Sequence, residues 1–298
     1  MNNFTKAILA AFLGNTIFGL SFLFSSVALE HAQPFVLLSI RFLTAFLVLN
    51  LVIRLGKIPF SLKGKPVKKL VLLGLLQPVL YFIFESYGIA MTSSSFSGIM
   101  LGLAPVAGLV LEVVFLHERC TLFQAVCTVL SVVGVALTTT GGMGTVSLPG
   151  FLLLVGAVIT ASLFAIVSRD IAPYFTAFER TYIMFLLGGT CFTAAALIQT
   201  GGDLRAMLAP LAHPSFWGAL LYLAVISSVC AFTLLNFSLN YLSAGQALIF
   251  TNFVPVISLL AGIFIMGDTF TPVQLGGILI ILLSVFGVSW QSSRASKT

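Results

Sequence analysis

Residues 34–54 read PFVLLSIRFLTAFLVLNLVIR, and this stretch indicates the fold class. Only Arg41 and the terminal Arg54 are charged within it. An α-helix rises 1.5 Å per residue, so about 20 apolar residues cross the hydrocarbon core of a bilayer. Proline is well tolerated at the first position of a helix, where its missing N–H leaves no bond unmade. The stretch therefore predicts a transmembrane helix that begins at Pro34.

The composition of the whole chain supports this interpretation. Of its 298 residues, 59% are hydrophobic and only 7% are charged, with fourteen Lys and Arg against eight Asp and Glu. Soluble domains carry about a quarter of their residues as charged side chains. Both a soluble globular protein and a nucleic-acid binder with a basic face are therefore excluded. What remains is a polytopic membrane protein.

Ten stretches along the chain have the length and apolar character of a transmembrane helix. The first begins close to the N-terminus, is longer than the apolar region of a signal peptide and lacks a convincing cleavage site. The sequence therefore predicts an all-α membrane protein with ten spans. Their limits are 7–29, 34–54, 68–91, 95–116, 122–140, 149–168, 175–199, 215–240, 244–266 and 272–290.

The basic residues predict the orientation of these spans. If the ten spans alternate in direction, eleven Lys and Arg fall on one side of the membrane, and Arg205 alone falls on the other. Lys and Arg are concentrated in cytoplasmic loops. We therefore expect a cell (inner) membrane protein with both termini in the cytoplasm, and we attribute most of the net charge of +6 to topology.

An internal repeat divides the chain into two halves, 1–144 and 145–298. Pro105 precedes Glu118 as Pro255 precedes Asp268, and the second pair lies 150 residues after the first. Thr121 and Gln124 recur at the same offset as Thr271 and Gln274. Because each half holds five predicted spans, an odd number, the second half enters the membrane with the opposite orientation.

Inverted repeats are typical of secondary transporters, which bind their substrate near the midplane between the repeats. A second pair of landmarks supports the duplication, because Pro34 and Arg41 recur as Pro173 and Arg180. The alternative, that the duplication only records how a membrane bundle evolved, explains no function. The sequence therefore favours transport by alternating access, with the substrate held between the halves.

The chain resembles the EamA-type carriers of the drug/metabolite transporter superfamily over nearly its whole length. The resemblance rests on the two proline-centred segments and on Arg41-Phe42 in the second span. The chain departs from the family pattern in having Phe18-Gly19 where the family often has Trp-Gly, and Asp268 where it usually repeats Glu. The resemblance implies a membrane transporter, commonly an exporter of metabolites or amino acids. It also implies that spans one, three, four, six, eight and nine line the substrate path. The segments that carry it are Tyr87–Ser95 leading to Pro105 and His117-Glu118-Arg119, and Tyr241–Ala247 leading to Pro255 and Gly267-Asp268.

Two ionisable residues lie well inside the predicted membrane, Arg41 and Glu85. Insertion of such a side chain costs at least about 2.5–3.5 kcal/mol, so each needs a structural or functional reason. Both are placed about 10 Å below the outer surface, from the helical rise per residue. They could form an ion pair that fixes helix packing, or bind the carboxylate and amine of a zwitterionic substrate.

Polar groups of the third span share one helical face with Glu85. Gln77, Tyr81 and Gly88 fall at multiples of three or four residues from it. A polar face in a lipid-immersed helix must contact a cavity or another helix, and we favour the cavity. Pro78 also removes a backbone hydrogen bond in the middle of this span.

Helix-breaking prolines mark the middle of the fourth and ninth spans. Pro105 and Pro255 leave the carbonyls of Leu101 and Thr251 without their helical partner. Freed carbonyls beside Asn252 could bind a substrate ammonium, so Thr251 and Asn252 are candidate binding residues. The alternative is that these segments are seams where small residues let two helices approach closely.

Buried carboxylates are candidates for proton coupling. A carboxyl group removed from water binds its proton more readily, which suits a proton carrier. Glu85 and Glu112 are the two candidates. For Glu112, Glu118, Glu179 and Asp268 the favoured alternative is that each caps a loop or pairs with a neighbouring base.

Aromatic residues support a second candidate substrate class. Phe18 and Tyr81 could line an apolar cavity or stack on a cation, which would make the chain a carrier of organic cations or drugs. A lipid flippase or passive pore is a further alternative. We expect neither an enzyme nor a cofactor or metal site, because no catalytic, nucleotide-binding or metal-ligand spacing occurs in the sequence. The expected partners are a small-molecule substrate and the lipid bilayer.

Overall fold

A computed structural model describes residues 2–116, 121–139, 147–242, 246–247 and 249–295. Within these ranges the chain is helical and contains no strand. The predicted loops around Arg119, Gly141 and Ser243 lie outside the described residues, as does Glu118. The all-α prediction is confirmed for the part of the chain that the structure describes.

The first half contains five helical elements in chain order. The third, α3, changes from α-helix to a π-helical segment at Leu75–Leu80 and back again. The fourth, α4, is interrupted by a turn at Gly102 and Leu103. The elements are α1 (Asn3–Leu29), α2 (Pro34–Leu55), α3 (Val67–Met91), α4 (Ser94–Leu101 and Ala104–Leu116) and α5 (Leu122–Thr139).

The second half repeats this pattern after residue 147. Helix α8, the counterpart of α3, also contains a π-helical segment, at Tyr222–Ala231. A short helix, Leu204–Leu208, and a 3-10 turn, Ala209–Ala212, precede α8. The elements are α6 (Leu148–Ile171), α7 (Ala177–Gln199), α8 (Pro214–Ser238), α9 (Ile249–Asn252, Phe253–Ala261 and Gly262–Met266) and α10 (Pro272–Ala295).

Helix length and composition indicate a multi-pass membrane protein. Among the described residues, seven helices are long and apolar enough to cross a bilayer: α1 to α4 and α6 to α8. Three shorter apolar helices, Leu122–Leu137, Phe250–Met266 and Pro272–Gly287, fall within the remaining predicted spans. Large apolar side chains such as Leu47, Ile198 and Phe264 are exposed on the outside of the bundle, as expected for a surface covered by lipid.

The helices of one half pack mainly against helices of the other half. The main pairs are α2 with α7, α5 with α10, α4 with α9, α3 with α6, and α1 with both α8 and α9. An aromatic cluster packs between α2 and α7. The ring of Phe42 lies 5.1, 5.7 and 5.4 Å from the rings of Phe82, Phe185 and Phe192. The largest cluster of buried apolar residues among those described thus contains residues from both halves.

Helix α3 is broken at the depth where the sequence placed Pro78. Gln77 has the extended backbone angles φ −147° and ψ 119°, and the Gln77-Pro78 peptide bond is cis. The break turns the side chain of Gln77 into the bundle, where it is buried. Proline inside a helix removes a backbone bond and sterically disrupts the preceding turn, which accounts for the position of the break.

The loop between α2 and α3 is pinned to the start of α7. Glu179 closes a capping box with Thr176 and also accepts two bonds of 2.7 Å from Lys65 Nζ. The backbone N–H of Ser61 donates to the same carboxylate at 3.0 Å. The favoured alternative for Glu179, pairing with a base, is therefore confirmed.

Candidate functional site

A cavity lies in the middle of the bundle, between the two halves. It contains about 600 Å³ of empty space, part of it open to the outside. Its walls come from α1, α3, α4, α6 and α9 and from the C-terminal end of α8, the six elements that the family resemblance implies. They are formed by Asn15, Phe18, Gln77, Tyr81, Leu101, Ala104, Ala161, Phe164, Ala165, Leu235, Ser238, Leu239, Ala247, Thr251 and Val254.

The walls of the cavity are apolar with a few neutral polar groups. Three aromatic residues contribute to them, namely Phe18, Tyr81 and Phe164. The amide of Asn15 donates to the carbonyl of Ala11 one turn earlier at 2.8 Å, which fixes its orientation on α1. No charged side chain is among the described residues that line this space. The cavity therefore suits a molecule with an apolar body and a hydrogen-bonding end.

Arg41 lies beside the cavity but does not line it. Its side chain is 1% exposed and donates to Ser228 Oγ at 3.0 Å and to Ser227 Oγ at 3.1 Å. The guanidinium carbon lies 4.4 Å from the centre of the Phe82 ring, a cation–π contact. Arg41 thus ties α2 to the π-helical segment of α8 in this structure.

Glu85 lies one turn after Tyr81 on α3 and is 2% exposed. It lines a small void next to the main cavity, together with Phe22, Ser97 and Tyr81. Its Oε2 atom is buried and has no hydrogen-bond partner in the described part of the chain. No ion pair joins Glu85 to Arg41 among the described residues. Of the two predicted roles of these residues, a direct ion pair is therefore not formed here.

The two mid-membrane prolines occupy matching places in α4 and α9. Pro105 lies in the first turn of Ala104–Leu116, and Pro255 lies in the first turn of Phe253–Ala261. A Cβ added at Gly102 would lie 2.6 Å from Cγ of Pro255, which is too close for a real contact. The close packing of these two helices therefore depends on that glycine. The predicted seam of small residues is therefore present between α4 and α9.

The remaining sequence-predicted residues lie at different distances from the cavity. Thr251 lines it directly, whereas Asn252 is not among its lining residues in the described chain. Glu112 is part of α4, but its side chain lies outside what the structure describes.

One end of the bundle is closed by contacts between the halves. Ser95 on α4 donates to the carboxylate of Asp268 after α9, and Ser258 Oγ donates to the carbonyl of Ser94 at 3.1 Å. Gly98 faces Ser258 with no room for a side chain. The cavity extends away from this seam, towards the C-terminal end of α8. Asp268 thus serves the closure of one end, a role that its sequence context did not predict.

A second polar cluster lies at the opposite end, behind the cavity wall. Arg180 is fully buried and donates to the carbonyl and hydroxyl of Ser168 at 2.7 and 2.8 Å. It also donates to the carbonyl of Asn236 and the side-chain oxygen of Asn240. Arg169 donates to the carbonyl oxygens of Leu239 and Asn240 at 3.0 and 2.9 Å. These bonds hold the end of α8 against α6 and α7.

Several residues at this site were not identified as site residues from the sequence. Arg180 is related to Arg41 by the same offset as the prolines that precede them, so the repeat itself carried the signal that both are buried. Asn15 is an amide in the middle of the first span, which by itself marks a residue that faces the protein interior. No sequence signal distinguished Phe164 or Ser238, because their neighbours across the bundle come from distant segments.

Comparisons with known proteins identify the family. The sequence model of the EamA-like transporter family matches residues 5–140 and 148–290. The uncharacterized transporter YcxC of Bacillus subtilis (strain 168) is 33% identical over 298 residues, covering 98% of this chain and 96% of that protein. An uncharacterized transporter of Archaeoglobus fulgidus is 24% identical over 274 residues, covering 91% and 94%.

A solved structure shows the same fold at low sequence identity. One protein of known crystal structure superposes with a TM-score of 0.71 at 16% identity, covering 97% of this chain and 98% of that chain. The family resemblance derived from the proline-centred segments is thereby confirmed, and a small-molecule substrate is implied by the family. The chain belongs to the EamA-like transporter family.

Proposed function

We propose that this chain is a secondary active transporter that moves a small amphipathic metabolite across the membrane by alternating access. The observation that carries the proposal is the central cavity, which lies between the two halves and is sealed at one end by the Ser95–Asp268 contact. In alternating access, the two halves rock about a central site and open it to one side at a time. No chemical conversion of the substrate is part of the proposal.

The proposal includes ten membrane spans arranged as two inverted repeats, 1–144 and 145–298. The family model matches the chain twice, once in each half. The packing supports the same division, because exchanging the two halves turns the pair α3–α6 into α8–α1 and the pair α4–α6 into α9–α1. The pairs α2–α7, α5–α10 and α4–α9 each convert into themselves. Two states related by such an exchange have similar packing, which alternating access requires.

We place the protein in the cell (inner) membrane with both termini in the cytoplasm. The excess of Lys and Arg in the loops on that side supports this orientation. The cavity then extends towards the cytoplasm, because its lining includes Ser238 and Leu239 near the cytoplasmic end of α8. A carrier that accepts its substrate from this side works as an exporter.

The substrate class in this proposal is a small metabolite with an apolar body, such as an amino acid. Phe18 and Tyr81 contribute apolar contacts, and Gln77 and Thr251 contribute hydrogen bonds. Arg41, Glu85 and Asn252 belong to the proposed site in other states of the cycle. For Arg41 this requires release from Ser227 and Ser228.

Proton coupling is assigned to Glu85, with Glu112 as the second candidate. The buried and unpartnered Oε2 of Glu85 next to a void supports this assignment. A neutral carboxyl tolerates such a position far better than a carboxylate does. In proteoliposomes, Glu85→Gln should abolish the response of transport to a pH gradient. An unchanged response to the gradient in the variant would exclude Glu85 as the proton carrier.

The proposal is tested by counterflow in proteoliposomes with labelled amino acids. A carrier accelerates uptake of labelled substrate when unlabelled substrate is present inside, whereas a passive pore shows no acceleration. Phe18→Ala removes a ring of the cavity wall, and Phe12→Ala removes an exposed ring of the same helix as a matched control. We expect the half-saturating concentration to rise about tenfold in Phe18→Ala, equivalent to about 1.4 kcal/mol of binding. Absence of counterflow for every small metabolite tested would refute the proposal.

The aromatic walls favour one alternative, a carrier of organic cations. Phe18, Tyr81 and Phe164 line the cavity, and the face of an aromatic ring attracts cations. Counterflow with a quaternary amine but not with amino acids would select this alternative. A lipid flippase would instead move labelled phospholipid between leaflets in the same vesicles.

A further inference from the structure

Two arginines meet at the floor of the cavity, behind Ser238 and Leu239. Arg169 Nη1 lies 3.0 Å from the carbonyl oxygen of Leu239, which itself lines the cavity. Arg180 binds Asn236 and Asn240, on either side of these two floor residues. The two guanidinium groups share Asn240, whose backbone oxygen binds one and whose side-chain oxygen binds the other.

No carboxylate among the described residues forms an ion pair with Arg169 or Arg180. The nearby acids are already neutralised, because Glu179 is paired with Lys65 and Asp170 is paired with Lys69, each at 2.7 Å. Within the described part of the chain, every acceptor that Arg169 and Arg180 contact is a neutral carbonyl, amide or hydroxyl oxygen. The Nε–H of Arg180 is buried and lacks any acceptor in the described chain.

The charges that the described helices bury near the cavity are therefore mostly positive. Arg41 and Arg180 are fully buried, whereas of the buried acids Glu85 and Glu179 the second is already paired with Lys65. Charges interact over long distances in a bundle from which water is largely excluded. No acid lines the cavity among the described residues, so nothing in its wall would hold a cation by direct charge pairing.

From this charge distribution we propose that the cavity takes an amphipathic organic acid, with its carboxylate at the floor beside Arg169 and Arg180 and its apolar body among the aromatic rings. The inference rests on the proposed function and narrows its substrate class. A carboxylate makes charge-assisted bonds that are about twice as strong as those to neutral oxygens. It can therefore displace the side chain of Asn240, which is partly exposed, from Arg180.

Binding of three matched probes to the purified full-length protein tests this inference. The probes are 3-phenylpropanoate, its neutral amide 3-phenylpropanamide and the cation 3-phenylpropylamine, and the readout is Kd from thermal stabilisation. The expected result is a Kd for the acid that is about tenfold lower than for the other two. Equal or tighter binding of the amide or the amine would overturn the inference. So would the absence of binding by all three.

Variants of Arg169 separate charge from structure. Arg169 is partly exposed, and its bonds within the described chain go to backbone oxygens, which water can satisfy after its removal. We expect Arg169→Gln to remove the preference for the acid, and Arg169→Lys to retain it. Lys69→Gln is the matched control, since it removes an equal charge from the same end of the bundle and should leave the preference intact. Retention of the full preference in Arg169→Gln would overturn the inference, as would its loss in Arg169→Lys.

A further arm distinguishes a metabolite from the headgroup of an anionic lipid. The measurement is repeated after addition of phosphatidylglycerol or of phosphatidylcholine. We expect both lipids to leave the preference for the acid unchanged. Loss of the preference with phosphatidylglycerol alone would assign the arginines to a lipid headgroup and overturn the inference.

The binding assay does not depend on transport. A preference for the acid without counterflow would refute the proposed function and leave the inference standing. Counterflow restricted to neutral or cationic substrates would refute only the inference.

Discussion

Replacement of Gly134 by alanine should weaken the packing between α5 and α10. A Cβ at Gly134 would lie 2.7 Å from Ile281 Cγ1 and 2.8 Å from the carbonyl oxygen of Gly277. The backbone oxygen cannot move without bending α10, and Ile281 is fully buried. Overpacking of this kind costs about 1–3 kcal/mol. Alanine also gains about 0.5–1 kcal/mol over glycine inside a helix, which offsets part of that cost.

Gly276→Ala is the matched control for this prediction. Gly276 lies on α10 and has no atom within 4 Å of the position of an added Cβ. The helix-propensity gain is therefore common to both variants, and their difference isolates the repulsion of about 1–3 kcal/mol.

Thermal unfolding of the purified variants in detergent measures this difference. A change of 1 kcal/mol shifts Tm by about 2–4 °C in proteins of roughly 150–250 residues. We therefore expect Gly134→Ala to unfold about 2–12 °C below Gly276→Ala. A Tm of Gly134→Ala equal to or above that of Gly276→Ala would refute the close approach of α5 and α10.

Two further predictions concern the ends of the bundle. Asp268→Ala removes the acceptor of the Ser95 hydroxyl and should open this end of the bundle. The reporter is Ser97→Cys in a chain whose native cysteines have been replaced, and we expect this cysteine to react about threefold faster with an impermeant maleimide when Asp268→Ala is present. An unchanged rate would show that the contact does not keep this end closed. Lys65→Gln should lower the free energy of unfolding by about 1–3 kcal/mol, because it leaves the buried carboxylate of Glu179 without its ion pair. Lys69→Gln removes an exposed ion pair with Asp170 and should cost less than about 1 kcal/mol. Equal effects of the two variants in a denaturation experiment would contradict this ranking.

The apolar stretches predict where helices lie because lipid imposes a minimum length on each of them. The break of α3 was also visible in the sequence, since Pro78 removes a backbone bond wherever it stands inside a helix. The π-helical segment of α8 was not, because Tyr222–Ala231 contains neither proline nor glycine. Its irregular backbone accompanies tertiary contacts, among them the bonds from Arg41.

The candidate site was predictable only in part. Gln77 and Tyr81 both line the cavity, although Gln77 does so through the break in α3 and not on the continuous helical face that the periodicity indicated. Glu85 follows the same period but lines an adjacent void, and Tyr81 lines both this void and the main cavity. The partners of Arg41 on α8 could not be foreseen, since they depend on how two helices nearly two hundred residues apart pack together.

The exchange of helix partners between the halves has a consequence for biosynthesis. Helices α1 and α3 enter the membrane during translation, before their partners α8, α9 and α6 have been made. Arg41 must wait for Ser228, which follows it by 187 residues. At about 5–20 residues per second, the ribosome needs roughly 10–40 s to reach it. During that interval the nascent first half holds an unsatisfied guanidinium in lipid, and its survival depends on the insertion machinery or on snorkelling to the interface.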